Sequence, residues 1–331
     1  MTIQNINVTV EKMIEKRKSA EKEQVNSHLW SIVLAGGEGK RLAPMVKRWL
    51  GEERPKQYCT FTGTRSMLQH TVDRADCLSA PERRVTVVGA HHEEEATRQL
   101  HQRGGKLVLQ PANRDTAAGI YLPLTYVRAA DPDATVVIYP SDHFIHPEED
   151  FVEAVRHAVK AVDLLEDRLV LMGMRPEGKE FEYGHIKLDR YLGGYGSHSL
   201  WTMGRFIEKP GSQMAQALGQ DVLWNTMVIV AKVETLWRLG TKILPSMIRL
   251  FETFQPAIGS PRELQVLGRL YERMPVRNFS SDLLEQAPHK VAALEMHGVG
   301  WSDWGQPERI AESLRQIGKT PVFPAELAGV A

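Results

Sequence analysis

The apolar positions change period several times along the chain. Residues 1–27 are polar and charge-dense and hold no sustained apolar face, so they read as an extension outside the core. From Leu29 the pattern alternates between two kinds of segment. Short apolar runs (Trp30 to Ala35, "RRVTVVGA", "KLVLQ", "ATVVIYPSDH", "RLVLMGM") predict buried strands. Between them lie segments with helical spacing. "SMLQHTVDRA" opens with Ser66 and Gln69 at capping-box spacing and places Met67, Leu68, Val72 and Ala75 on one face. "HEEEATRQLHQ" and "DTAAGIYLPLTYVRAA" predict two more helices, the second one capped by Asp115. "HPEEDFVEAVRHAVKAVDLL" predicts a fourth, with Pro147 at its start and acids in its first turn, where the helix dipole favours them.

Strands alternating with helices predict an α/β fold, with a mostly parallel, Rossmann-like sheet covered on both faces. Ligands of such sheets sit at the carboxyl ends of the strands. That rule gathers Gly36 to Arg41, Asn113 to Thr116 and Ser141 to His143 on one rim. From about residue 180 the pattern changes. Short strands ("YGHIKL", "GRFIEKP", "WNTMVIVA") surround a glycine-rich turn at Gly193 to Gly196, helices follow at roughly 233–275, and a last helix lies near "PERIAESLRQIG". The expected organisation is an extension at 1–27, one domain at 28–318 carrying an inserted lobe at about 180–290, and a tail at 319–331. No internal repeat is present, and the chain ends soon after the last helix, so no further fused domain is expected.

Composition narrows the function classes. Lys+Arg and Asp+Glu both number 41, so the formal net charge is zero, which argues against a dedicated nucleic-acid binder. Cys59 and Cys77 are the only cysteines, too few for a disulfide framework, and a reducing compartment fits. No apolar run nears the ~20 residues of a membrane span, and the N-terminus lacks a signal-peptide stretch. A cytoplasmic location is expected, with neither membrane nor nucleic acid as partner.

The strand ending at Ala35 runs into "GGEGKRLAP". This is not a Walker A loop, since Leu34 and Arg41 stand at the first glycine and the Ser/Thr positions, and Leu42 replaces the third glycine of a dinucleotide fingerprint. What remains is a short loop whose backbone N–H groups can turn toward an anion, with Arg41 as a planar fork and Lys56 following on a stiffened Pro55. The same residues would also serve an ordinary turn with surface cations. Asp142 ends a buried strand beside that loop and suits Mg²⁺, which prefers one or two carboxylates plus substrate oxygens. His143 and His146 lack the further ligands of a zinc site and read as a solvated rim.

Taken together, "LAGGEGKRLAP" and "RPKQY" resemble the signature of the sugar-1-phosphate nucleotidyltransferases, with Lys40 where that family usually has Thr or Ser. "QPANRDTAAG" resembles a segment of the mannose-1-phosphate guanylyltransferase branch, with Ala118 in place of Pro. "GVGWSDWG" resembles the family's W-S-D-V-G, with Trp304 in place of Val. "EYGHIKL", "FIEKP", "LWNTMVIV" and "NFSSDLLEQAP" resemble further segments in the family's order, with Met227 where Gly is common. The resemblance spans about 29–312. It implies a GT-A-like nucleotidyltransferase fold with a sugar-binding lobe. It also implies transfer of GMP from GTP to mannose 1-phosphate, releasing pyrophosphate, by Mg²⁺-assisted in-line attack. Under it, Arg41 and Lys56 stabilise the reacting phosphates. Leu34, Ala35, Gly36, Gly37, Gly39, Asn113, Arg114, Asp115, Thr116 and Ser141 hold the nucleotide. Tyr183, Gly184, Glu208, Lys209 and Asn225 hold the sugar phosphate, Asp282 and Glu285 support them, and Asp142 and Asp303 hold Mg²⁺. A homo-oligomer is compatible with it. Two alternatives stay open: a transferase for another sugar phosphate or nucleotide, and a non-catalytic nucleotide-sugar-binding paralogue that would not need the full set of charges.

Overall fold

A computed structural model of the chain describes residues 27–165, 167–178 and 180–328. The expected N-terminal extension falls outside the described residues apart from Ser27. The first half builds as its pattern predicts. Strand β1 (Leu29–Ala35) lies between β2 (Arg84–Gly89) and β4 (Thr135–Pro140), and β3 (Lys106–Gln110) extends the sheet beyond β2; all these pairings are parallel. Their residues are apolar on both sides because helices cover both faces. Each fully buried Val, Leu or Ile there contributes about 1.5–3 kcal/mol.

Helix α1 (Ala43–Leu50) follows the glycine loop, and α2 (Met67–Asp76) begins with the expected capping box of Ser66 and Gln69. α3 (Glu93–Leu100) and α4 (Asp115–Ala130) come next. Asp115 is the first helical residue rather than the cap: it stands at φ 64°, and Asn113 Oδ1 accepts its backbone N–H at 2.9 Å. α5 (Glu148–Leu164) buries Phe151, Val155, Val159 and Val162 at helical spacing against the sheet.

The second half adds to the same sheet. Its nine strands run β3-β2-β1-β4-β9-β6-β10-β8-β7, with β6 at Leu169–Met174, β7 at His185–Tyr195, β8 at His198–Ile207, β9 at Val222–Lys232 and β10 at Val291–Glu295. The pairings set every strand in one direction except β9 and β8, which run against the rest. The sheet is therefore mostly parallel. β7 also pairs with β9, closing β9, β6, β10, β8 and β7 into a ring of pairings. The β7–β8 hairpin is longer than its glycines predict: Gly193 and Gly194 pair with Leu200 and Ser199, and only Gly196 and Ser197 turn.

Between β8 and β9 lies the short α6 (Ser212–Ala217). α7 (Val233–Ile243), α8 (Pro245–Phe254) and α9 (Glu263–Arg273) pack with α4 over one face of the sheet, while α2 and α5 cover the other. A third cluster joins α1 to α10 (Pro307–Gln316) through Leu42, Phe61, Trp304, Ile310 and Phe323. Phe323 is thus buried, and Val322 donates its backbone N–H to Phe61 at 3.0 Å, so the start of the expected tail packs on the domain.

Candidate functional site

The carboxyl ends of β1, β3 and β4 open onto a cleft of about 300 Å³, lined among others by Leu34, Gly36, Gly37, Asn113, Asp115, Thr116, Ser141 and Met227. A second, more polar hollow is lined by Gly39, Lys40, Arg41, Lys56 and Gly305. Asn113 and Asp142 line both, so the two form one continuous rim. The glycine loop is shaped for close approach. A Cβ on Gly39, which stands at φ 61°, would lie 2.7 Å from the backbone nitrogen of Lys56. Buried Gln57 braces the loop from below, donating its amide to the carbonyls of Ala35 at 3.0 Å and Gly37 at 2.7 Å.

A small second sheet assembles the charges. β5 (Phe144–His146) pairs antiparallel with β11 (Gly300–Ser302), which places Asp142 and Asp303, 161 positions apart in the numbering, at the ends of adjoining strands. Lys56 is 3% exposed, and its ammonium lies 3.0 Å from Asp142 Oδ2 while donating to the backbone carbonyl of Asp303. Arg41 reaches Asp303 Oδ2 at 2.7 Å from a half-exposed position. Burial alone would raise the Asp142 carboxyl, but Lys56, His143 and Arg41 outweigh it and hold it at about 2. Burial opposes ionisation of Asp303 as well, and Arg41, His143 and Lys56 again hold its carboxyl below the usual range. The donor set is two ionised oxygen ligands, with a lysine ammonium already placed against both residues. It fits a hard divalent cation such as Mg²⁺. Arg41 already occupies Asp303 Oδ2, and His143 Nε2 lies 3.8 Å from Asp142 Oδ1.

The second half meets this rim at Asp303. Its Oδ1 accepts from the Tyr183 hydroxyl at 3.0 Å, from Arg309 Nη1 at 2.9 Å and from the Gly305 N–H at 3.0 Å. Arg309 also pairs with Glu180. Gly184 packs against Glu208: a Cβ there would lie 3.0 Å from Glu208 Oε2 and 2.7 Å from Phe206. The Gly184 carbonyl accepts from the Asn225 N–H at 2.8 Å. Burial raises the Glu208 carboxyl, against the pull of Lys209. Glu285 accepts the Glu208 backbone N–H at 2.8 Å, and Asp282 accepts that of Asn278 at 2.7 Å, so both acids brace loops. Lys209 is exposed at φ 46°. Asp115, Met227 (φ 57°) and Trp304 (φ 43°), which line the rim, are left-handed non-glycine residues as well, and such strain is commonly held at functional sites.

Some side chains depart from what their sequence positions suggest. Arg114 turns away from the cleft and gives Nε and Nη2 to the Tyr271 carbonyl at 3.1 and 2.8 Å. The Thr116 hydroxyl accepts from the Phe279 N–H at 2.8 Å. Asn225 spends its side chain on Met227, accepting the backbone N–H at 3.0 Å. His143 is no solvated rim. Its side chain is 13% exposed, Trp301 donates to its Nδ1 at 3.2 Å, and burial lowers its pKa despite Asp142. The sequence did not single out Gln57 or Arg309, whose partners Ala35, Gly37 and Tyr183 lie 20 or more positions away and leave no local motif.

This arrangement defines a class: an α/β protein with its ligand cleft at the carboxyl ends of a mostly parallel sheet, cationic on one side and carboxylate-bearing on the other. Within that class the chain belongs to the nucleotidyl transferase family, whose model matches residues 30–320. It is similar to the mannose-1-phosphate guanylyltransferase of Escherichia coli, with 24% identity over 89% of this chain and 62% of that one. It is also similar to the xanthan biosynthesis protein XanB of Xanthomonas campestris pv. campestris, with 32% identity over 88% and 61%. Among solved structures, one titled mannose-1-phosphate geranyltransferase, from Thermus thermophilus, matches with a TM-score of 0.72 and 25% identity, over 88% of this chain and 79% of that one. The chain spans from 48% to 62% of the length of these and other curated relatives. Among the described residues no helix is long and apolar enough to cross a membrane.

Proposed function

We propose that the protein transfers GMP from GTP to mannose 1-phosphate, forming GDP-mannose and pyrophosphate. The observation that carries this reading is the convergence of Arg41, Lys56, Asp142 and Asp303 beside the glycine loop. Two anions that repel one another must meet in this reaction, and Arg41 and Lys56 bring two cations to that point, with Asp142 and Asp303 beside them to hold a divalent cation. An oxygen of the sugar phosphate attacks the α-phosphorus of the nucleotide in line. The new O–P bond forms as the bond to the β-phosphate oxygen breaks, and the electron pair leaves with pyrophosphate. The attacking oxygen is already anionic near neutral pH, so no general base is needed.

In this reading Gly36, Gly37 and Gly39 let the backbone approach the nucleotide, beside Leu34, Ala35 and Ser141. Asn113, Asp115 and Thr116 face the base, with Arg114 holding their loop in place from behind. Arg41 and Lys56 neutralise charge as it moves to the leaving group. Asp142 and Asp303 would hold Mg²⁺, which when bound supplies further charge neutralisation on the phosphate oxygens. The stretch 180–290 serves as the sugar-phosphate lobe: Glu208 accepts from sugar hydroxyls, Lys209 pairs with the phosphate, and Tyr183, Gly184 and Asn225 shape the wall. The test is pyrophosphate release with Mg²⁺ and mannose 1-phosphate, offering GTP, ATP, UTP and dTTP in parallel. Release with GTP above the others supports the reading. Faster release with another nucleotide keeps the chemistry and replaces the base, while silence across nucleotides and a panel of sugar phosphates removes the activity.

A further inference from the structure

A second cluster of ligating side chains includes Glu38 of the glycine loop. Glu38, between Gly37 and Gly39, meets His91 and His92 in the turn that leaves β2. One carboxylate oxygen of Glu38 and one nitrogen from each imidazole lie within 4.8 Å of one another. Glu38 sits 3.2 Å from His91 Nε2. The His91 ring is seated over Gly89: a Cβ there would lie 2.8 Å from its Cε1 and 3.2 Å from its Nδ1. Gly89 has φ −63°, which any residue adopts, so what its missing side chain provides is room for this ring. The His92 ring lies 3.9 Å from that of His91, tilted by 48°, and meets Tyr58 edge-on at 5.6 Å, and its Nδ1 is shielded from solvent without a hydrogen bond.

We propose that Glu38, His91 and His92 form a binding site for a borderline divalent transition ion such as Zn²⁺, separate from the Mg²⁺-type carboxylate pair. Two nitrogen donors and one carboxylate match a three-ligand zinc site with a position left for water or a substrate oxygen, and they disfavour Mg²⁺, which takes oxygen ligands. The ion would tie the glycine loop to the end of β2 through Glu38, which also lines the cationic hollow beside Arg41 and Lys56. Occupancy would therefore set the position of a loop that the proposed reaction uses, although binding itself does not depend on that reaction.

The experiment is calorimetric titration of tag-free, chelator-treated protein with Zn²⁺ in the absence of nucleotide. One equivalent is expected to bind. His91→Ala and His92→Ala should each weaken it by about tenfold or more, since losing even an outer partner of a ligand costs that much. Excess Mg²⁺ should not displace it, and Asp142→Asn should leave it unchanged, which separates this site from the carboxylate rim. If His92→Ala fails to fold, His91→Gln at the exposed position replaces it. No binding by the wild type, or binding that survives both histidine substitutions, overturns the assignment.

Discussion

Lys56 is an ammonium with almost no access to water, and a buried charge persists only where it is paired. Its partners are Asp142 and the carbonyl of Asp303, so one side chain holds both metal-candidate residues in place. The low Asp142 pKa is a contest that Lys56 decides, because burial pushes the carboxyl up and Lys56 is the strongest group pulling it down. Replacing the ammonium should reverse the result. In Lys56→Met the Asp142 carboxyl should titrate well above about 2, read from its ¹³C shift, and an unchanged titration removes Lys56 as the cause. The sign for stability follows. A depressed folded-state pKa stabilises the fold above the unfolded value of about 3.9 and loses that contribution as pH falls toward 2. Arg41 is a different kind of residue, half-exposed and free to move from Asp303 to a phosphate. Arg41→Ala should lower turnover by about 10²–10³, the scale for one preorganised charge-stabilising donor. Wild-type turnover in a folded variant would take Arg41 out of the reaction.

At the scale of elements, the glycine loop offers an internal comparison. Gly39 has a positive φ, and its backbone presses on that of Lys56, whereas a Cβ on Gly37 meets nothing within 4 Å. Gly39→Ala should cost about 1–3 kcal/mol in urea unfolding through strain and overpacking. Gly37→Ala should stay within about 0.5 kcal/mol. Equal losses would mean that the loop's shape does not depend on its contact with Lys56. The same loop shows what the sequence could reveal. The strand ends carrying Gly36, Asn113 and Asp142 were legible because apolar runs of strand length stopped at polar clusters, and the capping box of α2 was legible because its spacing is local. The directions of β8 and β9 were not, since pairing partners leave no mark on a strand's own pattern. The orientation of Arg114 was equally hidden, because the Tyr271 carbonyl that holds it belongs to α9, 157 positions away. Met227 shows the reverse: it stands where the family pattern suggested a glycine, and it does adopt the left-handed φ that glycine favours.

Across the whole molecule, Asp303 is where the two halves of the chain meet. Arg41 comes from the first strand-loop-helix unit, Tyr183 from the start of the second half, and Arg309 from α10, and all three donate to one carboxylate. Arg309 Nη1 also lies 2.9 Å from the Tyr183 hydroxyl, so these two groups share both a contact and an acceptor, Oδ1. Groups joined in this way do not contribute independently. Removing either leaves the other to reorient on Oδ1, whereas removing both leaves a buried carboxylate with Arg41, the Gly305 N–H, His143 and Lys56 around it. A hydrogen bond to a charged group is worth about 1.5–3 kcal/mol. Tyr183→Phe and Arg309→Met should therefore each lower kcat/KM for the sugar phosphate by about tenfold or more. Their double-mutant cycle should show a coupling of at least about 0.5 kcal/mol, as expected for residues in one network. If Asp303 positions the nucleotide half and the sugar half together, the KM of both substrates should rise in the double variant. If the two effects simply add and only one KM moves, Asp303 serves one half, and the connection through Tyr183 is a matter of packing.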